Sequence, residues 1–266
     1  MILDEIAEKT RERIQEKKQL VPEEVLKEKA YRLASEEKEK SGGTFSFPFE
    51  RALSCKGISF ICEVKKASPS KGIIAEKFPY KEIAIEYERA GASALSVLTE
   101  PYYFKGSDDY LEEIRDAVKI PILRKDFTVD TYMVYEAKCI GASAILLICA
   151  ILSDEQLKTY METAKELGLS ALVEAHTEEE VRRALACGAG IVGVNNRDLK
   201  TFQVDIHTSE RLRKLVPEEV LYVSESGIRS GEDVRRLKEN GTDAVLIGET
   251  LMRSDNKKKM LDELRR

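Results

Sequence analysis

Histidine is scarce in this chain: only His176 and His207 occur in 266 residues. A metal centre built on several histidines is therefore poorly supplied, and no metal or cofactor is expected. The five cysteines, at 55, 62, 139, 149 and 187, are odd in number and form no CxxC pair. That pattern suits reduced thiols in apolar segments better than a disulfide framework or a zinc site. No run approaches the roughly 18 uninterrupted apolar residues that a membrane helix needs, so no membrane partner is expected. Basic excess is also missing: 43 Lys and Arg stand against 48 Asp and Glu, a formal net charge of −5. This argues against nucleic acid as a partner. The opening MILDEIAEKTRERIQEKK lacks the basic, apolar, small-residue order of an export signal, and a cytoplasmic location follows as the expectation. If the chain is an enzyme, Lys, Glu or Asp must move its protons.

Residues 1–50 are rich in Lys and Glu, with apolar positions at helical spacing: Ile2, Ile6, then Val25, Leu26, Ala30 and Leu33. Pro22 marks a helix start, where its missing N–H costs little. The stretch SGGTFSFPF closes this part. It reads as an N-terminal helical extension packed on the domain that follows, and solvated cover is a simpler role for it than contact with a ligand.

From 51 to 266 the rhythm changes. Short apolar runs recur: ISFICEV (58–64), ALSVLT (94–99), PIL (121–123), AILLIC (144–149), ALVEA (171–175), IVGVN (191–195), VLYVS (220–224) and AVLIG (244–248). Each is too short for a helix and too uniformly apolar for a strand with one wet face, as parallel strands buried on both sides should be. Amphipathic segments ending in Gly lie between them, and the junctions AGASALSVL, IGASAILLI, CGAGIVGV and NGTDAVLIG echo one another. Alternating βα units of this number can form an open doubly wound sheet or a closed barrel. An open sheet would gather its ligand residues at one switch point, whereas a barrel spreads them over many strand ends. Chemically capable residues end almost every run: Glu63 and Lys65, Lys125 and Asp126, Glu174, Asn195, Ser226, Gly248. The chain is thus predicted to be an α/β protein, a (β/α)8 TIM barrel in one catalytic domain.

Strand alternation places Glu63 and Lys65 on one face. Lys125 follows an apolar run, which predicts a lysine with a lowered pKa, usable as general acid or Schiff-base nucleophile. Glu174 has an equally apolar approach, so desolvation is expected to raise its pKa toward that of a working base. Each residue taken singly is more commonly a structural charge; their placement on one end of one barrel favours a site. SESGIRS (224–230) runs from strand through Ser226-Gly227 into a helix opened by Ser230 as N-cap, and LIGETLM (246–252) from strand through Gly248 into a short helix. Glycine lets a phosphate approach the backbone and a helix N-terminus binds the anion, so the two loops are expected to form one phosphate site.

Taken together, ICEVKKASPSKG, LRKDF, ILLI, ALVEAH, GVNNRDL, SESGI and LIGETLM resemble the indole-3-glycerol phosphate synthase family of tryptophan biosynthesis, over nearly the whole chain. The resemblance implies ring closure, decarboxylation and dehydration of 1-(2-carboxyphenylamino)-1-deoxyribulose 5-phosphate, without a cofactor. It further implies that Lys125 is the general acid, that Lys65 lies near the substrate carboxylate and shares acid duty, and that Glu174 is the base for dehydration. Glu63 and Asn195 would orient substrate and catalytic groups. Ser68, Ser226, Gly227, Gly248 and Glu249 match the phosphate site, Glu249 through its backbone N–H alone. Phe104, Phe127, Leu146, Leu199 and Ile247 match the apolar walls, and Arg197 an adjoining arginine. A monomer, able to associate with other enzymes of the pathway, is the implied state. Two departures stand out: FPY at 78–80 replaces an acidic Phe-Asp-Pro pattern, and Glu249 stands where some members have Ser.

Three rivals remain on the residues alone. A phosphoribosylanthranilate isomerase would want a Cys/Asp acid–base pair, which Cys62, alternating away from Glu63, does not supply. A Schiff-base aldolase could use Lys125 as its nucleophile. A non-catalytic phosphate-binding or engineered barrel would have no need to keep Lys65, Lys125 and Glu174 together.

Overall fold

The computed structural model describes residues 2–198 and 201–266. Eight parallel strands close on themselves: β1 (Ser59–Val64), β2 (Ala94–Leu98), β3 (Ile122–Lys125), β4 (Ala144–Ile148), β5 (Ser170–Ala175), β6 (Ile191–Asn195), β7 (Leu221–Glu225) and β8 (Ala244–Ile247). Closure is made by β1, which pairs with β2 through Ile61–Ala94 and with β8 through Ser59–Ala244. The predicted barrel is what forms, with strand ends displaced by a residue or two.

Alternation decides which residues meet. Ile61, Leu123, Leu146, Leu172, Val223 and Leu246 point inward and pack as one interior cluster. Their neighbours Phe60, Cys62, Ile122, Ile145, Val173, Tyr222 and Val245 point outward into a second cluster shared with the helices. Strands buried on both sides need this, and each fully buried Leu or Ile contributes about 2 kcal/mol, which such short strands could not gain by pairing alone.

Helices α4 (Tyr80–Arg89), α5 (Asp108–Ala117), α6 (Thr131–Cys139), α7 (Asp154–Glu166), α8 (Glu178–Ala186), α9 (His207–Leu212) and α10 (Gly231–Glu239) follow the first seven strands, and α11 (Glu249–Met252) and α12 (Lys257–Leu264) follow the last. The echoing glycines end helices: Gly91 and Gly141 sit at φ +86° and +84°, where a side chain would be strained.

Before the barrel come α1 (Ile2–Leu20), α2 (Glu23–Lys40) and α3 (Pro48–Leu53). Phe49 and Leu53 of α3 join the interior cluster from the end where β1 begins. Leu3 and Ile6 of α1 join it from the other end, over the strand C-termini. The extension is therefore more than solvated cover. Its second half is tied by charge: Arg13 to Asp126, Lys17 to Asp108 and Glu136, and Lys18 to Asp130. Arg124, buried behind β3, binds Asp108 at 2.8 Å and Glu136 at 2.6 Å and completes this network. Among the described residues, no helix is long and apolar enough to cross a membrane.

Candidate active site

A cavity of about 450 Å³ opens at the C-terminal ends of the strands. It is lined by Glu63, Lys65, Ser68, Phe104, Lys125, Phe127, Leu146, Glu174, Asn195, Arg197, Ser226, Gly227, Ile247, Gly248 and Glu249. These are the residues singled out in the sequence, drawn from all eight strands or the loops after them; Leu199 lies outside the described residues. Ile2, Leu3 and Ile6 of α1 also line it, so the extension contributes to the site. Among the described residues no three His, Cys, Asp or Glu side chains converge as metal ligands.

The floor of the cavity is a knot of opposite charges. Lys125 Nζ lies 3.2 Å from Glu174 Oε2 and 3.8 Å from Glu225 Oε2. Lys65 forms a short ion pair with Glu63 beside it, as the i, i+2 spacing predicted. Glu63, Glu174 and Glu225 are all buried.

The electrostatics overturn two expectations. Burial does pull the Lys125 ammonium toward neutrality, but neighbouring carboxylates, Glu174 first among them, pull harder the other way, and the net direction is upward. Lys125 is a firmly protonated cation, suited to giving a proton or stabilising an oxyanion and ill suited to attack as a free amine. Glu174 likewise feels desolvation, yet Lys125 and His176 outweigh it, with the Asn195 side chain assisting, and its pKa is lowered. The apolar approach visible in sequence was real; the pairing of Lys125 with Glu174, which brings β3 and β5 together, was not visible.

Glu225 is the functional side chain that sequence reading missed. Desolvation, and then the Glu174 carboxylate, push its pKa well above the ordinary value, so it stays protonated and can hydrogen-bond to Glu174. The signal was present: in Leu221-Tyr222-Val223-Ser224-Glu225 the odd positions face inward, but the strand was read as ending at Ser224. Gly193 on β6 makes room for it, since a Cβ there would lie 2.3 Å from Glu225 Oε1 and 3.1 Å from Leu172 Cδ1. A glycine inside a buried strand marks close approach by another group, and here that group is a buried acid that lines the cavity.

On the far side of the cavity the two glycine loops converge. Thr250 Oγ1 donates to Ile228 O at 2.8 Å and ties them together. Their helices differ, however, and this corrects the expectation that both termini are open. In α10, Ser230 accepts from Asp233 N, and the Asp233 carboxylate accepts from the N–H groups of Arg229 and Ser230, so this terminus satisfies itself. Helix α11 begins at Gly248 with no side-chain cap. Ser226 and Gly227 both adopt positive φ, +67° and +85°. The Glu249 carboxylate is bound by Arg253 at 3.1 Å and Lys71 at 3.7 Å, which offsets its charge beside the corner. Arg229 and Arg253 also line the cavity and add positive charge the sequence reading overlooked. Ser68 reaches the rim in a two-residue antiparallel turn, Ala67–Ser68 against Gly72–Ile73.

Fold and site together define a (β/α)8-barrel enzyme whose cavity, at the C-terminal ends of the strands, is lined by lysines and carboxylates. The N-acetylmannosamine-6-phosphate 2-epimerase of Clostridium perfringens superposes with a TM-score of 0.60 at 18% identity, covering 76% of this chain and 90% of that one, a likeness of fold. The family model for indole-3-glycerol phosphate synthase matches residues 3–264, and the chain belongs to that family. It is 52% identical over 268 residues to the indole-3-glycerol phosphate synthase of Lachnoclostridium phytofermentans, covering 100% of this chain and 99% of that protein. It is 53% identical over 265 residues to the enzyme of the same name from Ruminiclostridium cellulolyticum, with coverages of 100% and 99%.

Proposed function

We propose that the cavity closes the pyrrole ring of 1-(2-carboxyphenylamino)-1-deoxyribulose 5-phosphate and yields indole-3-glycerol phosphate, carbon dioxide and water, with Lys125 as first acid and Glu174 as base. The observation that carries this assignment of roles is the buried Lys125–Glu174 pair, 3.2 Å apart, between an apolar wall and a glycine-lined anion corner.

The aromatic carbon bearing the carboxylate attacks the ketose carbonyl, and the carbonyl electron pair moves to oxygen. Lys125 donates a proton to that oxygen and becomes an amine. A cation at this point stabilises the transition state more than the ground state, because the negative charge exists only there. The bond to the carboxylate then breaks; carbon dioxide leaves, and its electron pair restores the benzene ring. In dehydration the new hydroxyl departs with a proton from Lys65, while Glu174 removes a proton from the adjacent methylene carbon. The double bond forms between these two carbons.

The pairing times the base. While Lys125 is charged it keeps Glu174 a weak proton acceptor; once the lysine has given up its proton, that restraint goes and Glu174 becomes more basic. The proton gained by Glu174 returns to Lys125, and Lys65 recovers its own from solvent. One proton is consumed per turnover, as loss of carbon dioxide from a carboxylate requires. Glu63 orients Lys65, Asn195 supports Glu174, and Ser226, Gly227 and the uncapped start of α11 receive the phosphate, with Ser68 and Arg197 at the rim. The benzene ring lies between Phe104, Phe127, Leu146 and Ile247. A monomer acting in the cytoplasm suits a site completed wholly within one chain. The test is the appearance of indole fluorescence when the purified protein meets the anilino-deoxyribulose phosphate; no product at saturating substrate would refute the proposal.

A further inference from the structure

We propose that His176, as an imidazolium bridging Glu180 and Glu174, is a positioning residue for the reaction, fixing the base carboxylate from behind while Lys125 faces it from the front. The proposal rests on Glu174 being the base, and goes beyond that assignment by adding a residue that does not line the cavity.

Three observations carry it. First, the imidazole is wedged between two carboxylates: Nδ1 is 3.3 Å from Glu180 Oε2, and Nε2 is 3.4 Å from Glu174 Oε1. Second, Nε2 is shielded from solvent and has no hydrogen-bond partner among the described residues, while the Glu174 carboxylate lies within ion-pair distance of it. A neutral ring would leave one of its nitrogens poorly matched here; a doubly protonated ring donates to Glu180 through Nδ1 and sets its positive charge in ion-pair contact with Glu174 through Nε2. Third, Glu180 is held in place by local structure. It is the third residue of α8, where a capping glutamate normally returns to the N-cap backbone. Thr177 caps the helix by accepting from Glu180 N, and the Glu180 carboxylate reaches one residue further back to accept from His176 N at 2.6 Å. A helix start thereby orients the ring.

The groups around the imidazole come from four elements. Glu174 lies on β5 and Glu180 on α8, Lys125 repels from β3, and Arg183 of α8 is close enough to Glu180 to share its field. Cys149, after β4, donates its thiol to Glu180 O; burial pushes that thiol up to about 12, so it stays neutral. Desolvation works against the imidazolium, but Glu180 and Glu174 outweigh it, and the histidine is raised above its ordinary value.

Two consequences separate positioning from mere packing. With the cation removed, Glu174 should ionise at higher pH. In His176→Gln the acid limb of kcat/KM should therefore move upward by on the order of one pH unit, with kcat reduced and KM little altered. Glu180→Gln should shift the limb the same way, but not when His176 is already Gln, because Glu180 acts through the ring.

The scarcity of histidine allows a direct measurement in the free protein. Imidazole 15N signals arise from His176 and His207 alone, and His207→Gln assigns them. The expected result is that His176 titrates above the ordinary histidine range and that Glu174→Gln and Glu180→Gln each lower its pKa. A His176 titration unmoved by Glu174→Gln overturns the proposal whatever the activity does, as does an acid limb that stays in place in His176→Gln. Full turnover in Glu174→Gln would instead overturn the assignment of the base, while a responding imidazole would still support the bridge.

Discussion

Arg13 Nη2 in the N-terminal helix lies 2.9 Å from both carboxylate oxygens of Asp126, the residue next to the cavity-lining Lys125. Both side chains are buried, and Asp126 also accepts from Thr99 Oγ1 at 2.8 Å.

Arg13→Met should strand the Asp126 carboxylate in the interior. Breaking a buried pair by removing one partner costs about 3 kcal/mol, which a lowered urea midpoint would report. Turnover efficiency should fall with it, because the same helix lines the cavity through Ile2, Leu3 and Ile6. An unchanged midpoint would show that the anchor contributes nothing.

Glu225→Gln should stabilise the protein near neutrality. In the unfolded chain this residue ionises near the ordinary value of about 4.3, whereas in the fold it remains protonated far above that. Folding therefore takes up a proton, and the side chain's contribution to stability is full below the unfolded pKa and lost as pH rises toward the folded one. The amide needs no proton, so the advantage of the variant should grow with pH above about 4. Urea denaturation across a pH series checks this; a constant offset would mean that Glu225 is ionised in the fold. Turnover should suffer less than in Glu174→Gln, since the amide reproduces a neutral side chain.

Lys125→Ala should lower kcat by about 100-fold or more, the usual worth of a general acid, with substrate binding largely kept through phosphate and aromatic contacts. Borohydride added during turnover should trap no adduct, because the protonated amine is not a nucleophile. A lysine–substrate adduct detected by mass spectrometry would restore the aldolase reading.

The two phosphate-corner glycines should not behave alike, although sequence alone gave them one role. Gly227→Ala forces a side chain into positive φ and toward Val204 Cγ1, 2.5 Å from the new Cβ. Its effect should be a raised KM and weaker inhibition by inorganic phosphate. At Gly248 the new Cβ would lie 2.3 Å from Glu63 Oε1 and 3.0 Å from Lys65 Nζ. Gly248→Ala should therefore also cut kcat by about 10- to 100-fold, since small displacements of reacting groups cost that much. Equal kcat values in the two variants would show that the Glu63–Lys65 pair is not part of the chemistry.

The barrel was legible because its signals are local. Apolar runs bounded by helix-ending glycines report parallel strands whatever surrounds them, and Lys125, Glu174 and Asn195 could be placed at the cavity by counting along their own strands. What depends on several strands at once was hidden. The pKa directions of Lys125 and Glu174 turn on their meeting across the cavity from β3 and β5, with the His176 imidazole close beside Glu174. Gly193 has no meaning until Glu225 is seen to occupy the space beside it. Ser230 was legible as the N-cap of α10, and Asp233 three residues later completes the capping-box spacing that closes this terminus.

Strand β3 ends in Arg124 and Lys125, and Asp126 follows it; Lys125 and Asp126 line the cavity, while Arg124 is turned toward the helices. Foldedness and turnover are thus inscribed on adjacent letters of one segment. Arg124 lines no part of the cavity, yet its substitution would loosen the strand that aims the acid. A survey confined to cavity-facing positions would miss that inactivating route, and a graft of the eight-stranded body without its first forty residues would leave Asp108, Asp126 and Asp130 without the N-terminal cations that bind them.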